Sequence, residues 1–204
     1  TAWIESWFHP PRKASELGLR AFDQSPVLDA QVAGGELPPV EERLPDDPIV
    51  VEPIDEIGAY GGTARLFWAG EQLLNVPEGT LRPGPQLQLT LPNFAEGYQY
   101  SDDSKTITIS LRPGHKWSDG HPVSADDFEF WFEHVHMNKN LTPVVSPRFK
   151  RARFEKHGPH RFSYHFPQPM PLFVKHLAHN SSHLSVPAHF MRRYHPAFTD
   201  PDQL

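Results

Sequence analysis

The clearest pattern along this chain is alternation. In Gly97–Arg112, GYQYSDDSKTITISLR, Tyr98 and Tyr100 fall on one face of a strand, and Ile107, Ile109 and Leu111 on one face of the next. Period two marks a half-buried strand. Ser101-Asp102-Asp103-Ser104 between them has the chemistry of a tight turn, so the segment predicts a hairpin. Arg151–Phe166, RARFEKHGPHRFSYHF, repeats the design: Phe162, Tyr164 and Phe166 alternate with Arg161, Ser163 and His165, after a turn at His157-Gly158-Pro159. On this reading the basic run Arg148–Lys156 belongs to a strand.

Between the hairpins the period changes. Phe128, Trp131, Phe132 and Val135 stand at i, i+3, i+4 and i+7, the apolar stripe of a helix, with Glu129 and Glu133 outside it. Ser124 is its N-cap, Asp127 forms a short-armed capping box, and Asp126 and Asp127 favour the positive end of the helix dipole. Upstream, Gly61–Gly70 (GGTARLFWAG) reads as a buried strand that emerges into a loop at Trp68-Ala69-Gly70. Ser25–Pro39 predicts a short helix with Ser25 as cap and Pro26 in its first turn, stopped by Gly34-Gly35. Residues 40–62 form an acidic, proline-punctuated connection, extended around Ile49–Pro53. Pro171 and Pro187 open two further short helices. Hairpin, helix, hairpin and helices make an α+β class.

Composition adds loops to this picture. Of 204 residues 23 are proline, about twice the usual share, which predicts many connections and edge strands around a real core. Residues 1–100 hold 6 Lys/Arg and 15 Asp/Glu, net −9; residues 101–204 hold 13 and 10, net +3. An acidic first half argues against a nucleic-acid surface there, and Arg148–Lys156 is the one short basic patch. There is no cysteine, hence no disulfide or thiolate chemistry. No apolar run approaches the roughly 20 residues of a membrane span. The thirteen histidines invite a metal reading, but His134 and His136 lie about 200° apart on a helix and there is no HExxH. His176 and His179, at i and i+3, are able to share a face. Asp102-Asp103 and Asp126-Asp127 are explained by a turn and a helix start. No nucleophile elbow, P-loop or dinucleotide fingerprint occurs, so neither an enzyme nor a cofactor is expected.

One stretch is denser than the rest. Leu111–Phe132, LRPGHKWSDGHPVSADDFEFWF, packs two turns and a capped aromatic helix together. Asp119-Gly120 is a turn pair with Gly120 suited to positive φ, Trp117 offers a large body to pin the loop, and Arg112 and Asp119 are placed to pair across it. This stretch resembles the signature of the peptide/nickel-type extracellular solute-binding proteins, the family 5 receptors of bacterial ABC importers. Leu111, Arg112, Gly114, Lys116, Trp117, Asp119, Gly120, Ala125, Asp126 and Asp127 match it in place, and Ser124 launches the helix. YGGTARL resembles the family's first core strand, RFSYHFPQPMPLFVKHLA its strand–Pro–helix segment and VPAHF a helix start, so the likeness runs from Tyr60 to Tyr194.

The resemblance implies the first lobe of a type II periplasmic-binding-protein-like fold, a mixed sheet with β-hairpins and packed helices. It divides the chain into an N-terminal extension, 1–47, and a first-lobe part, 48–204; the second lobe is expected to lie outside this chain. It also implies an exported, periplasmic or extracellular monomer that captures a small solute and delivers it to ABC permease subunits. An oligopeptide is the first expectation for that solute and an oligosaccharide the second; a lobe kept as an interaction domain is the other class. The signature itself is scaffold in the family. Trp68, Ala69, Gly70 and Glu71 sit where such receptors line the cleft, with Glu71 facing a ligand amine or hydroxyl; the alternative is that Trp68 fills the lobe core.

Overall fold

The computed structural model describes residues 8–53, 55–63, 79–85, 89–179 and 185–200. The strand expected at Gly61–Gly70, and with it Trp68, Ala69, Gly70 and Glu71, lies outside the described residues apart from its first positions. The chain forms two compact units, Thr1–Pro77 and Glu78–Leu204.

In the first unit, β1 (Arg12–Lys13) pairs antiparallel with β2 (Ile49–Val50), Arg12 opposite Val50, which ties together residues on either side of position 47. The helix expected after Ser25 is a 3-10 turn, Pro26–Leu28, running into α1, Asp29–Ala33. Pro26 stands in its first turn as expected, but the Ser25 side chain makes no capping bond. Gly35 follows at φ +75. A further turn of helix, α2, covers Val40–Arg43.

The second unit is built on a four-stranded antiparallel sheet in the order β5 (Ala95–Tyr100), β6 (Thr106–Leu111), β8 (Arg161–His165), β7 (Arg153–Gly158). A small pair, β3 (Leu81–Pro83) with β4 (Thr90–Pro92), precedes it. The two predicted hairpins are thus the two halves of one sheet, joined by β6 and β8 at the centre. Register places Ile107 opposite Tyr164 and Ile109 opposite Phe162. All four are fully buried, so the inward face is one continuous apolar layer. The opposite face carries polar pairs: Thr108 Oγ1 meets Ser163 Oγ at 2.8 Å, and Thr106 Oγ1 meets His165 Nδ1 at 3.0 Å. The expected turn at Ser101–Ser104 closes with Ser104 N–H on the Ser101 carbonyl at 2.8 Å. The basic run is only half strand. β7 begins at Arg153, and Arg148–Ala152 is a series of turns in which Arg151 takes φ +68, because the chain must swing round buried Phe149 before it can join the sheet.

The helix expected at Ser124 is α3, Ala125–Phe130, and it lies on the apolar face. Phe128 meets Phe162 at 4.7 Å between ring centroids, and Phe132 meets Tyr164 at 5.7 Å. Burying a Phe of this kind stabilises by about 1.5–3 kcal/mol. Past Phe130 the helix widens to a π-helix, Trp131–His136, with Met137 N–H on the Phe132 carbonyl at 3.0 Å. The wider turn brings i and i+5 onto one face. His136 therefore stacks on Trp131 at 4.7 Å, and both press on Phe149. α4, Phe173–His179, closes the core with Phe173 against Phe166 (4.8 Å) and with fully buried Leu177. α5, Ala188–Met191, follows Pro187 and runs into a 3-10 turn, Arg192–Tyr194.

Candidate functional site

The signature residues form one corner, where β6 turns into α3. Leu111 ends the buried face of the strand. Gly114 takes φ +83, a left-handed conformation that turns the chain out of the sheet. Lys116 and Pro122 then bridge antiparallel, and the tip between them closes with Gly120 N–H on the Trp117 carbonyl at 2.9 Å. Gly120 itself stands at φ +83, as its place after Asp119 predicts.

Asp127 organises the corner. Its Oδ2 accepts the backbone N–H of Ser124 (2.9 Å) and the indole Nε1–H of Trp117 (3.2 Å). Its Oδ1 accepts the N–H of Ala188 (2.9 Å). Ser124 Oγ in turn accepts the Asp126 N–H at 3.2 Å, which completes the capping box. Asp127 is only 2% exposed and enters no ion pair among the described residues, so its charge is held by N–H donors and the helix N-terminus. The capping box was legible from sequence. The reach to Trp117 and across 61 residues to Ala188 was not.

The pairing expected between Arg112 and Asp119 does not form. Arg112, 2% exposed, lies 4.0 Å from Glu96 of β5, the strand beside its own. Asp119 instead bonds His189 Nε2 at 2.6 Å and accepts the His121 N–H at 3.0 Å. The His121 and His189 rings stack at 3.8 Å. The His189 bond, more than any other contact, holds the exposed Asp119 carboxyl below its usual range. The geometric reason is that the Asp119 turn points away from the sheet, towards α5, while Arg112 is buried at the strand end. Asp126 and Glu129, outside the stripe, both bond Lys156 of β7, and these bonds raise the Lys156 ammonium above its usual value.

Every signature carboxylate described here is thus spent on holding elements together, and among the described residues no three His, Asp or Glu side chains gather as metal ligands. Chemically the corner is a clamp. It fixes where β6 leaves the sheet, how α3 lies on it and where α5 docks. The paired carboxylates Asp102-Asp103 and Asp126-Asp127 do the work of a turn and a helix start: Asp103 accepts the Ser101 hydroxyl at 2.7 Å and the Lys105 N–H at 3.1 Å. Of the thirteen histidines, His115, His134, His136 and His176 are held below the usual imidazole range, in each case chiefly by burial.

The sequence model of the bacterial extracellular solute-binding proteins, family 5, matches residues 90–201. Among curated proteins, the chain is 31% identical over 144 residues to the periplasmic alpha-galactoside-binding protein of Rhizobium meliloti, covering 58% of this chain and 21% of that protein. It is 30% identical over 121 residues to the periplasmic oligopeptide-binding protein OppA of Haemophilus influenzae, covering 51% of this chain and 21% of that one. Among solved structures, an oligopeptide-binding protein OppA superposes with TM-score 0.81 at 27% identity, over 93% of this chain and 31% of that one. The periplasmic binding protein MelB of Agrobacterium fabrum, in complex with stachyose, superposes with TM-score 0.71 at 26% identity, over 89% and 32%. The chain therefore spans between about a fifth and a third of the length of these relatives.

Proposed function

Since the chain belongs to the bacterial extracellular solute-binding proteins of family 5, we propose that it contributes to the solute receptor of an ABC importer and that the solute is an oligopeptide. The observation that carries the reading is the superposition on an oligopeptide-binding protein at TM-score 0.81 over 93% of the chain. The receptor is an exported, periplasmic or extracellular monomer that hands its solute to permease subunits.

In this reading the signature corner is a rigid mount. Residues 48–204 belong to the first lobe, and Trp68, Ala69, Gly70 and Glu71 supply part of one cleft wall. Binding then depends on enclosure between two lobes, since a ligand held against one wall leaves much of its surface in water. Residues 1–204 alone are expected to bind at roughly millimolar strength, about −4 kcal/mol, or less.

A second reading has specific support. An alpha-galactoside-binding protein gives the longer of the two curated alignments, and a stachyose complex superposes well. An oligosaccharide receptor would use aromatic stacking where a peptide receptor uses backbone hydrogen bonds.

The test is calorimetric titration of the full-length receptor, and of residues 1–204, against a dipeptide-to-pentapeptide pool and against stachyose. Peptide binding by the full-length receptor near micromolar supports the first reading, and stachyose binding the second. Binding of neither sinks the receptor reading and leaves an interaction domain. Trp68→Ala separates cleft from core: it should weaken binding and leave the melting temperature in place. A large loss of stability would assign Trp68 to the core.

A further inference from the structure

Away from the signature corner, the second unit carries a concave basic surface beside β8 and α4. Two adjoining hollows, of about 620 and 290 Å3, share Arg148 and Met170 in their walls. Lys150 and Arg151 line the smaller, and Lys175 and His176 the larger. No Asp or Glu among the described residues lines either hollow. Arg148, Lys150 and Arg151 enter none of the ion pairs among the described residues.

Two further features distinguish this surface from ordinary solvated cations. Arg151 holds φ +68, a left-handed backbone that a glycine would adopt at less cost, yet the position carries a long cation on the rim of the hollow. The lining from Phe166 to Phe173 is apolar apart from Gln168, and stiff. Prolines 167, 169 and 171 alternate along it and fix its backbone. Met170 anchors it, with its N–H on the Ser104 carbonyl (2.9 Å) and its carbonyl taking the Tyr100 hydroxyl (2.9 Å). Leu172, 75% exposed, stands at the edge.

We propose that this groove docks an acidic polypeptide segment in which carboxylates alternate with apolar side chains. The three cations on one rim take the carboxylates, and the Met170–Leu172 ledge takes the apolar groups. A small inorganic anion would use only the charges and leave the ledge wet. The stiffness of the proline wall lowers the ordering cost of binding. The proposal does not depend on which solute the protein carries.

The experiment is fluorescence anisotropy of this protein with a labelled peptide of alternating Glu and Leu. The controls are a Gln/Leu peptide, inorganic phosphate and a labelled single-stranded oligonucleotide. Expected is saturable binding of the acidic peptide that weakens with salt and falls about tenfold in the Arg148→Glu/Lys150→Glu double variant. Arg151→Gly should also weaken binding while holding or raising the melting temperature, because the backbone strain goes with the charge. That combination separates loss of a binding group from loss of fold. The proposal is overturned if the Gln/Leu peptide binds equally, if phosphate displaces the acidic peptide or the oligonucleotide binds more tightly, or if binding ignores all three substitutions. In that last case the peptide occupies a solute cleft elsewhere, which leaves the transport reading intact.

Discussion

Replacing Asp127 with alanine removes one carboxylate from three donors that come from three parts of the chain. A hydrogen bond to a charged group contributes a net of about 1.5–3 kcal/mol, but bonds sharing one acceptor are not additive. Trp117 and the Ser124 N–H lie in a partly exposed setting and can turn to water, whereas the Ala188 N–H is buried and would be orphaned. An orphaned buried donor costs about 1–3 kcal/mol. Adding the lost half of the capping box, about 1 kcal/mol, and part of the Trp117 anchorage, Asp127→Ala should cost about 3–5 kcal/mol. Ser124→Ala is the internal control. It removes the bond from the Asp126 N–H and a long one, 3.5 Å, to the Asp126 carboxylate, so about 1 kcal/mol is expected. Asp127→Asn should fall between them, because the amide keeps the volume but turns an N–H towards at least one of the donors. The assay is urea denaturation followed by tryptophan fluorescence, read as a shift in midpoint at constant slope. If Asp127→Ala costs no more than Ser124→Ala, the residue is a cap and not the clamp described above.

Other substitutions test other levels of the fold. Gly120→Val meets no atom within 4 Å of its Cβ, so its cost should be the left-handed backbone alone, about 1–2 kcal/mol; an unchanged melting curve would mean that the turn takes another conformation in solution. The Tyr164 hydroxyl is buried without a hydrogen-bond partner among the described residues, which also drives its ionisation to higher pH. Tyr164→Phe should therefore be neutral or stabilise by up to about 1 kcal/mol, and a clear loss would reveal a partner for the hydroxyl. His115, His134, His136 and His176 titrate lower in the folded chain than the unfolded value of about 6.5, so between the two values the unfolded chain binds more protons. Stability from this source is full above about pH 6.5 and is lost as pH falls through the folded values; a urea midpoint that holds steady from about pH 7.5 to 5, or rises on acidification, would contradict the burial of these rings.

What this sequence determines by itself is whatever its local periods and turn chemistry specify. Alternation at Ile107, Ile109 and Leu111 and at Phe162, Tyr164 and Phe166 is enough to assign strands and their buried faces, because side chains on a strand have only two sides. Ser124 and Asp127 name a helix start, and Gly120 a left-handed turn, because each needs only its near neighbours. Tertiary structure decided what those elements meet. The two hairpins became one sheet because β6 and β8 each had an unpaired edge, and nothing local states which edge finds which. Asp119 chose His189 over Arg112, and Asp127 reached Ala188, because the chain returns to this corner some 60 to 70 residues later. Even the helix changed its period: the turn from Trp131 to His136 widened so that both rings could face Phe149, a demand set by the packed core and invisible in a helical wheel. Contacts at such separations depend on the whole chain's path, and a sequence read one segment at a time contains the donors and acceptors without the path.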